Sequence, residues 1–476
     1  MDAKVDSVIN DVVIMGAGLA GLTAGQTLTA AGRAVEIVES SDQVGGLART
    51  VLHEGFRFDL GGHRFVTNNP TLEDYIKNLL GADCLTVPRS SKILLHQRYF
   101  DYPLRPLNAV FGFGAVSTAR ILADYVRERL RSRMFHRPVV SLEDWVIGHF
   151  GRTMFELYFR DYSEKVWGID CKHIDQTWIE QRIQGLSLGA AIKKALLPRR
   201  GRDMPTLTKH FLYPRLGIGQ IAENLAAQIR PHNEIHTGTR VTRVNHSGAR
   251  IDSVEVVQGG RRRVVAGEQF VSTIPLPVLV SALRPHPPAE VLVAASRLRS
   301  RDLVTVSIMV NRPRVTENTW IYVPEKMIPF GRIHEPTNWS RAMAPAGQSL
   351  LVIEYFCFRG DAIWNSDDAA LAGQTIDNLV RLGFIDRHEV IGYLVQRITN
   401  AYPLFEVGYN ENCRTIYAYL QRFSNLYTAG RGGMFRYYNM DHAMQAGMDA
   451  AHDILKAYQS KSAPTLAATA FSKASA

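Results

Sequence analysis

The residues whose types and spacing could do chemistry cluster near the two ends of the chain. Gly16-x-Gly18-x-x-Gly21 follows the apolar run DVVIMG, and Glu39 stands eighteen positions after Gly21, at the end of a second apolar run. Glycines at that spacing allow a tight turn and let backbone N–H groups approach a pyrophosphate at a helix N-terminus. A carboxylate at the end of the next strand can accept hydrogen bonds from both hydroxyls of an adenosine ribose. Together they predict a dinucleotide site. Near the other end, AGRGGMFRYYNMDHAM (429–444) sets arginines, tyrosines, an asparagine and an aspartate between glycines and a helix start. Flanking glycines are enough for a turn that holds a phosphate or cofactor by its backbone, so the polar side chains point to a further ligand.

These residues need elements to position them. DVVIMG reads as a strand, GLAGLTAGQTLTAAG as a helix and RAVEIVES as a second strand. Residues from about 104 to 200 read as mostly helical, and LEDWVIGHFGRTMFELYFRDYSEKVWG carries apolar positions at helical spacing. Strand alternation returns over 239–275 and in LVTVSIMVN (303–311), TWIYVP and SLLVIEYFCF, and MDHAMQAGMDAAHDILKAY forms the last helix. The order predicts an α/β fold. A Rossmann-type domain is assembled from 1–100, 206–285 and 406–459; a helical insertion (101–205) and a β-sheet substrate domain (286–405) interrupt it, and 460–476 forms a disordered tail.

A chain of 476 residues is too long for one simple core, which agrees with several subdomains. No apolar run is long enough to cross a bilayer, and MDAKVDSVIN lacks the apolar stretch of a signal peptide. Cys84, Cys171, Cys357 and Cys413 lie far apart without a CxxC pair, so neither a zinc site nor a disulfide framework is expected. A reduced, cytoplasmic protein is the expectation. Much of the net charge of +10 lies in RERLRSRMFHR (127–137) and KKALLPRRGR (193–202). Such charge suits a solvated helix face and loop, or attraction to phosphorylated substrates or to the inner face of a membrane. No nucleic-acid motif accompanies it, and no nucleic-acid partner is expected. The oligomeric state stays open.

Gly45, Gly46 and Arg49 follow the acid in ESSDQVGGLART. This extended motif resembles the flavoprotein group that includes amine oxidases, phytoene desaturases and protoporphyrinogen oxidases. The resemblance implies FAD rather than NAD, with Gly46 and Arg49 against its pyrophosphate and Val241 beneath the adenine. It also implies that YTAGR (427–431) closes over the ribityl chain, with Gly62, Gly430, Arg431, Asp441 and Met444 among the cofactor contacts.

LGGHRFVTNN (60–69), GRTMFELYFRDYSEKVWGI (151–169), FLYPRLGIGQIAENL (211–225), PFGRIHEP (329–336) and GRGGMFRYYNMD (430–441) occur in order over most of the chain. Together they resemble UDP-galactopyranose mutase, most specifically through YSEKVWG and GRGGMFRYYNMD. That resemblance implies a redox-neutral reaction, in which N5 of reduced FAD attacks the anomeric carbon of a nucleotide sugar and pyranose exchanges with furanose. Such a site needs cations and phenols around a diphosphate whose charge grows as it leaves, and the anomeric carbon held in place.

By the same resemblance Tyr162 contacts phosphate and Trp167 the uracil; the other reading of both is core aromatics on a helix. Arg182, in WIEQRIQG, matches a mobile-loop arginine that closes on the diphosphate, with a one-residue difference in spacing. Arg332 matches a second diphosphate arginine, its alternative being a surface ion pair with Glu335. Arginine suits this task because its planar fork engages two phosphate oxygens. Tyr402 and Tyr437 match further phosphate tyrosines, with Tyr438 and Asn439 beside them facing substrate. His63 belongs to a loop beside the flavin ring, either as a hydrogen-bond partner near N5 or as a group that holds the loop. Asp441 is expected to N-cap the last helix. His63, Arg182 and Arg332 form the expected catalytic group.

Three positions depart from the mutase pattern. Val66 replaces a second histidine of the bacterial form, Asn439 replaces an acid, and the AAIKKALL region lacks a phosphate tyrosine, offering Lys193 and Lys194 instead. These changes leave room for another sugar or a polyprenyl phosphate carrier. They also leave room for oxidation of a sugar, amine or lipid by an enzyme of the amine-oxidase and desaturase type.

Overall fold

The computed structural model describes residues 4–5, 10–102, 115–134, 138–182 and 209–462. Two sheets carry an α/β architecture. In the first, Asn10–Met15 lies between Val35–Val38 and the end of Arg261–Ser272, all parallel, with Glu234–His236 and Leu426–Thr428 parallel outside them. Val12 to Met15 are fully buried, as a parallel strand covered on both faces requires. The strand Arg261–Ser272 serves two neighbours. Its first half pairs antiparallel with Arg250–Gln258 and its second half runs parallel to Asn10–Met15.

Helices Leu19–Ala30 and Met440–Ser462 pack on this sheet, and glycines set how closely they meet. A Cβ on Gly447 would strike the Ala20 carbonyl and the Thr23 hydroxyl of the first helix. Thr23 Oγ1 donates to the Met444 carbonyl at 3.1 Å, which pins the two helices together.

The second sheet has the order Val390–Pro403, Ser300–Val310, Ser349–Cys357, Arg332–His334, Trp320–Tyr322, Ser91–Leu95, Arg98–Asp101. The strands Ser91–Leu95 and Arg98–Asp101 thus hydrogen-bond into this sheet, although residues up to 100 were expected in the first domain and 101 in the helical insertion. Alternation sorts its two faces. Val304, Val306, Ile321, Ile333, Ile353 and Tyr355 pack beneath the helix Asp368–Arg381. Their neighbours Trp320, Tyr322, Arg332, Glu354 and Phe356 take the opposite face.

The stretch 142–168, with its apolar positions at helical spacing, is helical in separate pieces. Leu142–Phe150 opens with a Ser141–Asp144 capping box and ends at Gly151, whose φ of +87° is the left-handed region that favours glycine. A π-helical turn, Phe155–Phe159, then shifts the register before Arg160–Trp167. That shift matters for position: it sends Tyr162 and Trp167 towards the second sheet. At the end of this helix Gly168 has φ +71°, and the Arg301 guanidinium fills the space a Cβ would take. Arg301 donates to the carbonyls of Lys165, Val166 and Phe356, fastening the helix to the sheet.

Among the described residues no helix is long and apolar enough to cross a membrane. Helix Ala115–Met134 lies outside the others. It buries Ile121, and Asp124 accepts the Thr153 N–H at 2.6 Å.

Candidate functional site

At the first glycine turn, Gly16 (φ +107°) donates its N–H to the Val38 carbonyl at 2.8 Å. A Cβ on Gly21 would meet the Gly16 carbonyl oxygen, and one on Gly46 (φ +58°) would stand 3.1 Å from the Gly18 Cα. The turn is therefore open to backbone approach and closed to side chains. Glu39 is buried, its Oε2 accepting the Ala17 N–H at 2.8 Å and its Oε1 the Ser41 N–H at 2.8 Å. Its carbonyl accepts the Thr239 N–H at 2.7 Å, which ties the strand that carries Val241 to the acid's backbone. Arg49 follows the second glycine pair with a buried Nε that has no hydrogen-bond partner. A glycine cradle, a carboxylate at the end of the second strand and a partly buried arginine with an unsatisfied Nε fit the adenine, ribose and pyrophosphate of FAD.

Beyond the cradle, a cavity of about 1410 Å³ opens between the second sheet and the helical layer. It exceeds the roughly 300–1,000 Å³ usual for one small ligand. Gly62, His63, Tyr162, Trp167, Arg332, Tyr402, Arg431, Tyr437, Asn439 and Asp441 all line it, so most of the sequence-predicted site converges there.

Arg332 is the hub. Its Nε donates to the Tyr162 hydroxyl at 3.0 Å, and its Nη1 donates to the Tyr402 hydroxyl at 3.2 Å and to Glu354 Oε2 at 3.1 Å. The alternative reading, a surface pair with Glu335, does not form. Arg332 is buried and pairs across the strands with Glu354, because 332 and 354 are register partners. Glu335, one face over, accepts the N–H groups of Val315 and Thr316 instead. Burial pulls the Arg332 guanidinium down, but Tyr162, Tyr402 and Glu354 outweigh it and hold the charge well above its ordinary range.

Glu354 also ties the sheet to the glycine–histidine loop, its Oε1 accepting the Gly62 N–H at 2.9 Å. A Cβ on Gly62 would run into the Trp320 ring. His63, next to it, has a buried Nδ1 without a partner. Burial, then the Arg431 charge, push its imidazole down to about 4, so it is neutral at pH 7.

Tyr402 and Tyr437 stack nearly parallel, ring centroids 6.5 Å apart at 14°. Arg431 lies over both rings, 5.4 and 5.7 Å from their centroids, its Nε on the Tyr438 carbonyl and its Nη1 on the Ala401 carbonyl. Trp167 is buried at 2 % exposure, edge-on to Trp178 and Tyr402. It forms the floor of the cavity.

Some expectations land elsewhere. The last helix begins at Met440, and the Asn439 carbonyl accepts the Ala443 N–H, so Asn439 takes the cap position and Asp441 sits in the first turn. Asp441 Oδ1 lies 3.0 Å from His442 Nδ1. Met444 is fully buried against the first helix and does not line the cavity. Gly430 (φ +81°) closes the late turn 3.0 Å, at its absent Cβ, from Ala20. Arg182 ends the helix Thr177–Arg182; its side chain, like the Lys193–Lys194 region, lies outside the described residues.

Sequence reasoning missed Arg64, Arg89, Trp320, Tyr322 and Glu354. Arg64 had one signal, its place directly after His63 in GGHRF. Trp320 and Tyr322 share one strand, Glu354 lies on another and Arg89 just before a third, and they meet only through sheet pairing. Among the described residues Arg64, Arg89, Arg332, Arg414, Arg431 and Arg436 line the cavity against a single carboxylate, Asp441.

The chain matches the family of flavin containing amine oxidoreductases over residues 19–455. It belongs to that family. FAD is accordingly its cofactor, in agreement with the glycine cradle, and the chain is a flavin-dependent enzyme of the amine oxidase superfamily. Short segments resemble curated relatives. An L-amino-acid oxidase of Sistrurus catenatus edwardsii is 42% identical over 66 residues, 14% of this chain and 13% of the relative. A 4,4'-diapolycopene oxygenase of Methylomonas sp is 46% identical over 50 residues, 10% of each. The aligned part thus spans only a small fraction of those relatives. Whole-chain likeness appears among solved structures. Reduced UDP-galactopyranose mutase superposes with a TM-score of 0.81 at 22% identity, covering 94% of this chain and 96% of that one. Putrescine oxidase bound to putrescine gives 0.63 at 16%, covering 94% and 99%. Both likenesses are of fold.

Proposed function

We propose that this flavoenzyme interconverts the pyranose and furanose forms of a sugar carried on a nucleoside diphosphate, without net oxidation. The observation that carries the reading is the charge of the cavity: of the six arginines that line it, Arg332 and Arg414 are paired with Glu354 and Glu411, and Arg64, Arg89, Arg431 and Arg436 remain against one lining carboxylate, Asp441, among a wall of phenols. An anionic substrate fits such a wall, and electrostatic preorganisation of this kind stabilises charge that grows on a leaving diphosphate. Bound FAD in its reduced form would supply the nucleophile for the anomeric carbon.

The chain's own residues would do the rest. Arg332 holds the Tyr162 and Tyr402 hydroxyls as donors fixed in direction, so they need not reorganise when charge develops. Neutral His63 adds no charge beside the reacting carbon and keeps a ring nitrogen able to accept or donate a proton. Trp167, Trp320 and Phe405 exclude water from the floor. The fold likeness to the mutase supports the same reading.

Oxidation of an amine fits less well. The parallel Tyr402–Tyr437 pair would suit a cationic substrate, but Arg431 already covers both rings. A cationic substrate would also enter a field of like charge.

Titrating the FAD-loaded protein with UDP and UDP-galactose tests the binding half of the proposal. A saturable shift of the flavin spectrum with both is expected. No response to either, together with a response to amines, would overturn it.

A further inference from the structure

Most of the arginines around the cavity already have acceptors. Arg332 is neutralised by Glu354 and holds two phenols. Arg431 is fixed to two backbone carbonyls, and Arg414 Nη2 donates to Glu411 at 2.9 Å. Arg64 differs. Its guanidinium lies 4.6 Å from the Trp320 centroid and 5.4 Å from that of Phe211, with Nη1 buried and without a hydrogen-bond partner. Among the described residues no carboxylate pairs with it.

Burial holds its pKa down to about 10, with Arg89 and Arg332 adding repulsion, so it still carries its charge at pH 7. Leaving a guanidinium nitrogen buried without a partner is unfavourable, and a bound anion would offset that. Arg89 stands near, its Nε on Ser91 Oγ at 3.2 Å and its guanidinium 5.3 Å from the Tyr102 ring. The Tyr102 and Tyr322 rings, 4.3 Å apart, complete that wall.

We infer that Arg64, flanked by Arg89, seats the phosphoryl group of the substrate, and that Arg332 instead orients Tyr162 and Tyr402. The inference rests on the proposed reading that the cavity takes a phosphorylated sugar. Its ligand chemistry is a phosphate ester, whose source is either a nucleoside diphosphate or a lipid phosphate. The two flanking rings keep the guanidinium plane fixed, which favours a two-oxygen contact over a point-charge contact.

The test is titration of the FAD-loaded protein with inorganic pyrophosphate, then competition by UDP or by farnesyl phosphate. Arg64→Met should weaken pyrophosphate binding by about tenfold or more, and Arg64→Lys by less, since lysine keeps the charge and loses the fork. Tyr162→Phe should change it by no more than about threefold. If Arg64→Met loses FAD, Arg64→Lys and Arg89→Met carry the test. Wild-type affinity in both would overturn the inference, as would wild-type affinity in an FAD-loaded Arg64→Met protein. Competition by UDP identifies the nucleotide as source, and competition by farnesyl phosphate alone identifies a lipid. Arg64-dependent pyrophosphate binding with no competition by either upholds the subsite and overturns the nucleotide-sugar reading.

An independent observation lies on the outer helix Ala115–Met134. Leu122, Val126, Leu130 and Met134 recur every fourth residue and are 38, 55, 53 and 70 % exposed, forming one apolar stripe. Exposed Arg120, Arg127 and Arg129 flank it. An apolar stripe bordered by arginines matches a helix that lies in a membrane interface, with the cations on anionic headgroups. We propose that this face docks on an anionic lipid surface. The protein should co-sediment with vesicles of phosphatidylcholine and phosphatidylglycerol, less so at high salt, and not with phosphatidylcholine alone. The double variant Val126→Asp, Leu130→Asp should abolish sedimentation and leave flavin content unchanged. No sedimentation of the wild type, equal sedimentation of the variant, or a dimer in solution that the same variant splits would each overturn it.

Discussion

Nη1 of Arg332 stands 3.1 Å from Oε2 of Glu354, and both side chains are buried between neighbouring strands. The carboxylate's other oxygen accepts the Gly62 N–H, so one ion pair joins the sheet, two phenols and the glycine–histidine loop. Removing one charge of a buried pair strands the other. Glu354→Gln should therefore destabilise the fold by about 3 kcal/mol. Denaturant unfolding at matched flavin content checks this, and a change below about 0.5 kcal/mol would be inconsistent with a tightly coupled pair.

Tyr162 and Tyr402 share Arg332 as donor. Each Tyr→Phe change should cost about 1–2 kcal/mol of stability, because a buried N–H loses its acceptor. The double variant should depart from the sum by at least about 0.5 kcal/mol, as residues in one network do. A double-mutant cycle measures that coupling, and strict additivity would argue against a shared hub.

His63 gives the fold a pH dependence of known sign. Its folded pKa of about 4 lies below the ordinary 6.5, so the unfolded chain binds a proton first on acidification. Stability is lost as pH falls from about 6.5 to about 4, by roughly 3 kcal/mol in full. Asp59 opposes this, since burial raises it to about 6 from 3.8 and its contribution is lost as pH rises through that window. The quantity to measure is thus the difference between wild type and His63→Gln across pH 4–7. The variant should lose less stability on acidification; parallel curves would contradict a buried neutral imidazole.

A Cβ on residue 21 would press on the Gly16 carbonyl, where the first helix packs closely on the glycine turn. Gly21→Ala should purify with flavin content reduced about tenfold or more, since the third glycine lets the helix pack closely enough on the turn to keep the cradle in shape. Flavin absorbance per protein provides the readout, and wild-type occupancy would contradict the cradle.

What could be read in advance follows the range of the interactions. The glycine cradle and Glu39 were legible because strand, turn, helix and acid are neighbours in the chain. Arg332 was legible as a site arginine but its partner was not: Glu335 is adjacent in sequence, while Glu354 is adjacent only through strand register. Alternation also made Arg332 and Glu335 face opposite ways. Trp320 and Tyr322 escaped notice for the same reason, since their strand pairs with one 229 residues away in sequence, as Ser91 and Trp320 do. The broken helix at Gly151 hid behind continuous apolar spacing, because a π-turn shifts register without changing composition.

The central claim is a redox-neutral ring exchange on a phosphorylated sugar, and one anaerobic assay tests it most directly. FAD-loaded protein reduced with dithionite would be mixed with UDP-galactopyranose, and the products separated and identified. A furanose product, no net change in flavin oxidation state, and loss of turnover in Arg332→Met are expected. An oxidised sugar, or substrate-driven bleaching of oxidised flavin with steady oxygen consumption, would contradict that claim.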